Sequence, residues 1–271
     1  MFMSKVILKN EVEVPNIFDR KECIFNLEDC FDRDELNQIE YQNTYKIFPN
    51  PAIDQLNIDI NMTAKVLTVN IAQIIHEGAW TGSEGRTGID KRPVAGAIRF
   101  ENEGVVGDSV IDRNHHGGYD QAVYAYGRED SDWWQREIGR ELNNGAFGEN
   151  LTTEGIDVNQ SLIGERWQVG TVLLEVSQPR IPCRVFAGFW REPSLIKKFT
   201  EAKRPGAYLR IIEEGVIKAG DELKVVSRPN HLICIRDLFE AKSGARDKIS
   251  EIKQVPQLSL KYKEWISKIE N

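Results

Sequence analysis

Residues 166–183 read RWQVGTVLLEVSQPRIPC, and this stretch indicates the fold class. Two runs rich in aliphatic and β-branched residues flank Gly170, as in two strands that are joined by a tight turn. Pro179 and Pro182 should end the second strand, because proline fixes φ and has no amide hydrogen for a ladder hydrogen bond. Cys183 follows at the point where a helix could begin over residues 184–187.

Further short strands and a few helices are predicted on both sides of this stretch. The additional strands fall at 66–71, 98–100, 121–126, 208–212 and 222–226. The helices fall at 128–138, 193–202, 232–241, 247–252 and 258–269. Many short strands separated by glycine turns, with few long helices between them, predict a mainly β fold. We therefore expect a β-barrel with peripheral helices rather than a doubly wound sheet.

The pattern divides the chain into three parts. Residues 1–61 are polar and weakly periodic, and they are predicted to form an N-terminal extension without catalytic groups. Met62 is an alternative start, because the strand pattern begins directly after it. Residues 62–228 should form the β-barrel domain. Residues 229–271 should form a small three-helix module for packing or interaction.

The overall composition limits the function classes. The chain has 271 residues, 41% of them hydrophobic, and a formal net charge of -7. This acidic balance argues against binding of a nucleic acid polymer, which needs clustered basic residues. No apolar run is long enough to span a bilayer, and the first 16 residues lack the apolar core of a secretory signal. A cytoplasmic protein is expected.

The four cysteines do not form a C-x-x-C pair or a zinc-ligand spacing. Cys234 lies among apolar residues and is interpreted as a small buried hydrophobe. Cys23 and Cys30 lie in the polar extension. Cys183 is different, because a helix N-terminus and the nearby Arg180 would both favour its thiolate. A buried cysteine that closes a loop is the structural alternative, and this segment alone leaves both interpretations open.

Three other clusters carry groups that could bind a ligand. Residues 104–118 contain several glycines and the run His115, His116, Gly117, Gly118, where backbone amides could cradle an anion. The alternatives there are a zinc or iron site with nearby carboxylates, or a turn whose histidines bond to the backbone. In residues 145–153, Glu149 and Asn150 could orient a ligand or brace the barrel, and a bracing role is the better interpretation for Glu149. The basic pair at 91–92 could bind an anion or remain solvated.

Taken together, these motifs resemble the MOSC family, which is named after the C-terminal domain of molybdenum-cofactor sulfurases. The motifs occur in the family's order and cover roughly residues 65–227. They are KRP at 91–93, GD at 107–108, HHGG at 115–118, FGENL at 147–151 and VSQPRIPC at 176–183. The stand-alone subgroup of the YiiM type, associated with 6-N-hydroxylaminopurine resistance, is the closer likeness, and the helical tail fits it. The extension before Met62 departs from the pattern.

The resemblance implies a molybdenum cofactor, a pyranopterin that carries the metal. Cys183 matches the family cysteine that ligates molybdenum or carries sulfur, and Lys91 and His116 match pocket residues. Lys91, Arg180, His115, Gly117, Gly118 and Asn150 would contact the cofactor. His116 would deliver a proton near neutral pH. The family is also associated with pyridoxal phosphate binding and with detoxification.

The expected activity is reduction of N-hydroxylated bases or related compounds, with electrons from a separate reductase. The chain shows no flavin fingerprint and no cysteine cluster for an iron–sulfur centre. A different class of function is a sulfur carrier that holds a persulfide on Cys183 for delivery to a metal site. A third is a ligand-binding module without catalysis. Metal content and sulfane sulfur on the thiol would distinguish them.

Overall fold

The structure is a computed structural model, and it describes residues 6–7, 13–14, 46–50, 55–59, 63–101, 104–113 and 115–269. Contacts divide the chain into two units, residues 1–64 and residues 65–271. The predictions for Cys23, Cys30 and Met62 lie outside the described residues, as does most of the predicted extension. The described part of the first unit consists of two antiparallel strand pairs. They are β1 (Val6–Ile7) with β2 (Glu13–Val14), and β3 (Lys46–Asn50) with β4 (Gln55–Asp59).

The second unit is built mostly of sheet. Its strands are β5 (Lys65–Glu77), β6 (Arg86–Val94), β7 (Ile98–Glu101), β8 (Gly104–Val105), β9 (Val123–Gly127), β10 (Leu151–Glu154), β11 (Arg166–Val169), β12 (Val172–Pro179), β13 (Ala207–Glu213), β14 (Gly215–Ile217) and β15 (Leu223–Ser227). The main sheet has the order β15-β11-β12-β13-β9-β10-β5-β6, and a smaller sheet has the order β14-β7-β8. In the main sheet, β9 and β10 are parallel to each other and the other neighbours are antiparallel.

The predicted strand pair around Gly170 is confirmed, with β11 and β12 on either side of the turn. Gly170 has φ +54, and a Cβ there would lie 2.5 Å from the carbonyl oxygen of Val216. Only glycine fits this turn without strain. On β11, Trp167 and Val169 are buried, and Arg166 and Gln168, which alternate with them, are half-buried, as expected for one face on the core. The second strand ends at Pro179, the first of the two prolines.

Six α-helices lie around the sheet in the described part of residues 65–269. They are α1 (Arg128–Ile138), α2 (Arg184–Trp190), α3 (Leu195–Ala202), α4 (Ile235–Lys242), α5 (Ile249–Ile252) and α6 (Leu260–Ile269). The mainly β class with additional helices is therefore confirmed. The bounds of α1 match its prediction, because Gly139 follows in the left-handed conformation that ends a helix.

An aromatic cluster fixes the short helices against the sheet. The ring of Phe147 stacks on Tyr126 with a centroid separation of 4.1 Å and packs 4.9 Å from Trp190 of α2. Phe186 of α2 and Phe199 of α3 also meet, at 5.3 Å. Burying several aromatic side chains in one cluster is a strong apolar contribution. The start of α2, where Cys183 lies, is therefore held in one place relative to the sheet.

The C-terminal helices are attached to the middle of the main sheet. Ser259 donates a hydrogen bond to Gln178 Oε1 at 2.7 Å, and Arg210 donates to the carbonyl of Gln257 at 2.8 Å. Residues 65–271 remain in one unit by their contacts. The boundary at residue 228 and the separate three-helix module stay predictions. Among the described residues, no helix combines the length and the apolar character needed to cross a bilayer.

Candidate functional site

Six of the eight predicted site residues line one pocket. The pocket has a volume of about 110 Å³ and lies where β6, the loop before residue 118 and the end of β12 meet. The six residues are Lys91, His116, Gly117, Asn150, Arg180 and Cys183. They come from four separate segments of the sequence, so the fold alone brings these segments together. His115 lines an adjoining outer cleft of 590 Å³, and Gly118 lines neither space.

Arg180 is the main positive charge of the pocket, and it is only 5% exposed. Its guanidinium donates to the carbonyl of Phe147 and lies over the rings of Tyr124 and Phe186, 5.2 and 4.9 Å from their centroids. Among the residues that the structure describes, it forms no ion pair with a carboxylate, and its Nε has no hydrogen-bond partner. A buried cation without a counter-ion is costly. A bound anion would supply the missing partner.

Lys91 is also buried, but it already has a partner. Its Nζ donates to Asp108 Oδ2, which also accepts a hydrogen bond of 2.8 Å from Asn150 Nδ2. Burial lowers the pKa of Lys91, and Asp108 opposes that shift. Burial by itself would raise the pKa of Asp108, but the charge of Lys91 and the hydrogen bonds from Lys91, Ala72 and Asn150 together outweigh it, so the net pKa is lowered. This ion pair holds the lysine at the pocket wall.

Asn150 connects strands as well as lining the pocket. Its side chain accepts from the amide of Tyr124 at 3.2 Å and donates to the carbonyl of Asn70 at 3.2 Å, in addition to Asp108. These bonds join β9 and β5 through the start of β10. Most of the hydrogen-bonding capacity of this amide is therefore used within the protein. Its predicted role in orienting a ligand remains a prediction.

Glu149 braces the adjoining loop. Its carboxylate is fully buried and accepts from the amides of Gly145 and Phe147, at 2.6 and 2.9 Å, and from the Thr152 hydroxyl at 2.8 Å. Burial raises the pKa of Glu149, although these donors partly offset the shift. The loop that supplies the carbonyl for Arg180 is thereby fixed.

His116 is held in its neutral form. Burial, and then the positive charge of Arg180, lower its pKa from 6.5 to about 4. Its Nδ1 lies 3.4 Å from the hydroxyl of Tyr208, which also lines the pocket. A group with this pKa is not a reservoir of protons near neutral pH. The sequence-based expectation that His116 delivers a proton at neutral pH therefore does not hold for the protein without a ligand.

Cys183 lies directly before α2 and is half-buried. The predicted helix start after this residue is confirmed, with Cys183 at the N-cap in an extended conformation. The thiol borders both the pocket and the outer cleft. It is therefore reachable from the solvent side and from the side of Arg180. Cys234, the other free thiol in the described part of the chain, is buried as predicted, and burial raises its pKa to about 11.

The two adjacent histidines face different surroundings. His115 is exposed, with its ring Nδ1 2.9 Å from Asp112 Oδ2 and its amide donating to the same carboxylate. Gly117 and Gly118 have φ of +84 and +78, and Gly118 precedes a single turn of 3-10 helix. In the described part of the chain, no group of three His, Cys, Asp or Glu residues could hold a metal ion. The zinc or iron alternative thus gains no support from the described residues.

The outer cleft includes residues that the sequence did not single out. Lys242, Lys261 and Tyr262 come from α4 and α6, and they line the cleft together with Cys183 and His116. These residues follow Cys183 by about 60 to 80 positions, which is far beyond local pattern. The packing of α4 on β12, and the hydrogen bond from Ser259 before α6 to Gln178 of β12, bring them to the cleft.

The fold and site define a mainly β protein in which a half-buried thiol and a buried arginine without a carboxylate partner among the described residues line one pocket. A family model described as MOSC domain matches residues 112–224. Within this range lie Cys183, Arg180, His116 and Asn150. The chain belongs to the MOSC domain family.

Similar proteins support this assignment. The chain is 36% identical over 149 residues to the uncharacterized protein YflK of Bacillus subtilis, covering 55% of this chain and 67% of YflK. It is 30% identical over 193 residues to a protein named reductase from Gibberella moniliformis, covering 69% of this chain but only 34% of that protein. The crystal structure of YiiM from Geobacillus stearothermophilus superposes with a TM-score of 0.64 at 29% identity, covering 76% of this chain and 98% of YiiM. The fold is YiiM-like.

Proposed function

We propose that this MOSC protein binds a molybdenum cofactor and reduces N-hydroxylated bases or related compounds. The observation that carries the proposal is the set of groups around one pocket. A half-buried thiol, a buried arginine without a counter-ion and a neutral histidine line the same space. The reductase name of a relative agrees with a redox activity, although the alignment covers about a third of that relative.

The residues fit the proposed cofactor chemically. Cys183 offers a soft sulfur ligand for molybdenum. The unpartnered Nε of Arg180 offers a charge-assisted hydrogen bond to an anionic group. Lys91 would contribute positive potential while it remains paired with Asp108. The family resemblance assigns the cofactor, and the cofactor would supply the two electrons of the reduction.

The reaction has a simple balance. An N-hydroxylated amine takes up two electrons and two protons, its N–O bond breaks, and an amine and one water molecule form. The protein would bind and orient the substrate and provide the proton path. The hydroxyl of Tyr208 and the ring of His116, 3.4 Å apart, form such a path at the pocket wall.

A bound anion would change the protonation of His116. Negative charge beside Arg180 offsets the repulsion that lowers the pKa of His116 from its ordinary value. The imidazole would then be protonated at higher pH than in the protein without a ligand. Proton delivery by His116 is therefore proposed for the loaded protein only.

We further propose a MOSC-type β-barrel, a separate electron donor and a cytoplasmic location. The support for the barrel is that Val66 of β5 donates to the carbonyl of Asp221 at 2.9 Å and accepts from Gly220 at 2.8 Å, directly before β15. These bonds join the start of β5, the second-last strand of the main sheet order, to the segment before β15, which stands first in that order. The free thiols at Cys183 and Cys234 suit a reducing compartment.

The test is elemental analysis of protein made in cells that synthesise the cofactor. We expect molybdenum and pterin in amounts close to that of the protein, and loss of molybdenum in Cys183→Ala. Cys234→Ala is the matched control, because it removes the buried thiol that lines neither the pocket nor the cleft. Reduction of 6-N-hydroxylaminopurine by the loaded protein with a reductase then tests the activity. Protein without molybdenum would overturn the proposal.

A sulfur carrier is the second candidate. The observation in its favour is that Cys183 lies at the border of an open cleft, where a persulfide could reach an acceptor. Sulfane sulfur on Cys183 in protein free of molybdenum would support this candidate. Molybdenum that depends on Cys183, without sulfane sulfur, would exclude it.

A further inference from the structure

The outer cleft adjoins the pocket but has a different character. Its volume of 590 Å³ is within the range of small-molecule sites, about 300 to 1,000 Å³. The pocket and the cleft share several lining residues, including Cys183, His116 and Tyr208. A molecule that reaches Cys183 through the cleft would therefore meet the residues contributed by α4 and α6.

Positive charge is concentrated on this side of the cleft. Lys242 and Lys261 line it. Burial lowers the pKa of Lys242, and repulsion from Lys261, Arg246 and Lys268 lowers it further. Within the described part of the chain, none of these four cations forms an ion pair with a carboxylate. Such a cluster is unexpected in a chain with a net charge of -7.

The aromatic residues beneath these cations provide a second observation. Lys242 Nζ lies 4.2 Å from the ring centroid of Trp265 and 5.6 Å from that of Tyr262, so its ammonium is held in place by cation–π contacts. Tyr262 lines the cleft and is 3% exposed, yet its hydroxyl has no hydrogen-bond partner among the described residues. A buried hydroxyl without a partner is costly unless a ligand satisfies it.

We propose that the outer cleft binds the phosphate of a phosphorylated substrate through Lys242, Lys261 and the hydroxyl of Tyr262. This inference rests on the proposed function and deepens it, because the substrate class becomes the monophosphate of an N-hydroxylated nucleoside. A phosphate monoester carries up to two negative charges and several acceptor oxygens. It matches two ammonium groups and one hydroxyl donor.

The cleft is also lined by Arg184, directly after Cys183, and by one carboxylate. Asp112 is an acid at the cleft wall, and it is engaged by His115. The phosphate would therefore lie towards α4 and α6, away from Asp112. The base would then extend past Tyr208 towards Cys183 and His116. The cofactor also carries a phosphate, which has the same charge and acceptor oxygens as the phosphate of the substrate. The experiment therefore distinguishes substrate phosphate from cofactor phosphate in the cleft.

The experiment measures binding of adenosine 5′-monophosphate and of adenosine to the full chain loaded with cofactor, by equilibrium dialysis. At about 0.15 M salt, where exposed charges are screened, we expect the monophosphate to bind at least about tenfold more tightly than adenosine. Lys261→Gln should weaken monophosphate binding about tenfold, which corresponds to one charge-assisted hydrogen bond. Lys263→Gln is the matched control, because it removes the same charge from α6 outside the cleft.

Each outcome decides the inference. Equal affinity for the two compounds, or equal weakening by both lysine substitutions, overturns it. Monophosphate binding that occurs only in protein without cofactor also overturns it, because the cleft would then hold the cofactor's phosphate. Circular dichroism of both variants establishes that they fold.

A protein that reduces the free base but does not select the monophosphate contradicts this inference alone. A protein that selects the monophosphate but reduces no N-hydroxylated compound contradicts the proposed function instead.

Discussion

Replacing His116 with glutamine should make the folded protein less sensitive to acid. Burial and Arg180 lower the pKa of His116 from 6.5 to about 4 in the folded state. The unfolded chain therefore binds a proton more readily than the folded chain. The contribution of His116 to stability is fully present above pH 6.5 and is lost as the pH falls from 6.5 towards about 4.

The size of this effect follows from the shift. Each unit of pKa difference corresponds to about 1.4 kcal/mol, so the complete loss is about 3 kcal/mol. Between about pH 7 and about pH 5, the wild-type protein should lose about 2 kcal/mol of unfolding free energy through this residue. His116→Gln removes the titrating group. Between the same two pH values, the unfolding free energy of this variant should therefore fall by about 2 kcal/mol less than that of the wild type.

The assay is urea denaturation at both pH values, combined with an NMR titration of labelled histidine. The chain contains four histidines, so the signals can be assigned by substitution. His115→Gln is the matched control, because it removes the exposed neighbouring ring and leaves His116 in place. An imidazole of His116 that titrates near 6.5, or equal pH dependence in wild type and His116→Gln, would refute the reasoning.

Two other substitutions test the framework of the pocket. Gly145 has φ +89, and a Cβ there would clash with the carbonyl oxygen of Lys91. Gly145→Ala should therefore lower the unfolding free energy, measured by denaturation, by about 2 to 4 kcal/mol. Gly104→Ala is the control, because a Cβ at Gly104 meets no atom within 4 Å. Asn150→Asp would put a second carboxylate at the 2.8 Å contact with Asp108. This substitution should lower the unfolding free energy by about 2 to 4 kcal/mol at about pH 7. The loss should be smaller at about pH 4, because one carboxyl is then protonated. An equal loss at both pH values would contradict this prediction.

Local pattern predicted the parts of the site that lie within one element. The two strands around Gly170, the proline stop at Pro179 and the helix after Cys183 all follow from backbone constraints on a few neighbouring residues. The helix before Gly139 follows in the same way. Strand β6 was not predicted, because Pro93 and the charged residues 90–92 resemble a loop. Pro93 is tolerated there because β6 is an edge strand of the main sheet.

Interactions between distant elements could not be predicted from the sequence. The missing partner of Arg180 Nε depends on which groups surround it after folding. The ion pair of Lys91 with Asp108 likewise depends on the meeting of β6 with the loop after β8. The low pKa of His116 arises from the same burial and from the approach of Arg180. The motifs identified the site residues, whereas their ion pairs, missing hydrogen-bond partners and pKa shifts could be derived only from the three-dimensional structure.

The attachment of the last helix to the centre of the sheet has a consequence for biosynthesis. Ser259 holds the segment before α6 against Gln178, and Lys261 completes the cleft that Cys183 borders. A ribosome needs several seconds, roughly 4 to 16, to translate the approximately 80 residues between Cys183 and Lys261 at typical rates. Until then the cleft beside the thiol lacks the residues of α6. Any molecule that must contact both ends of the cleft can be captured only after α6 has been translated.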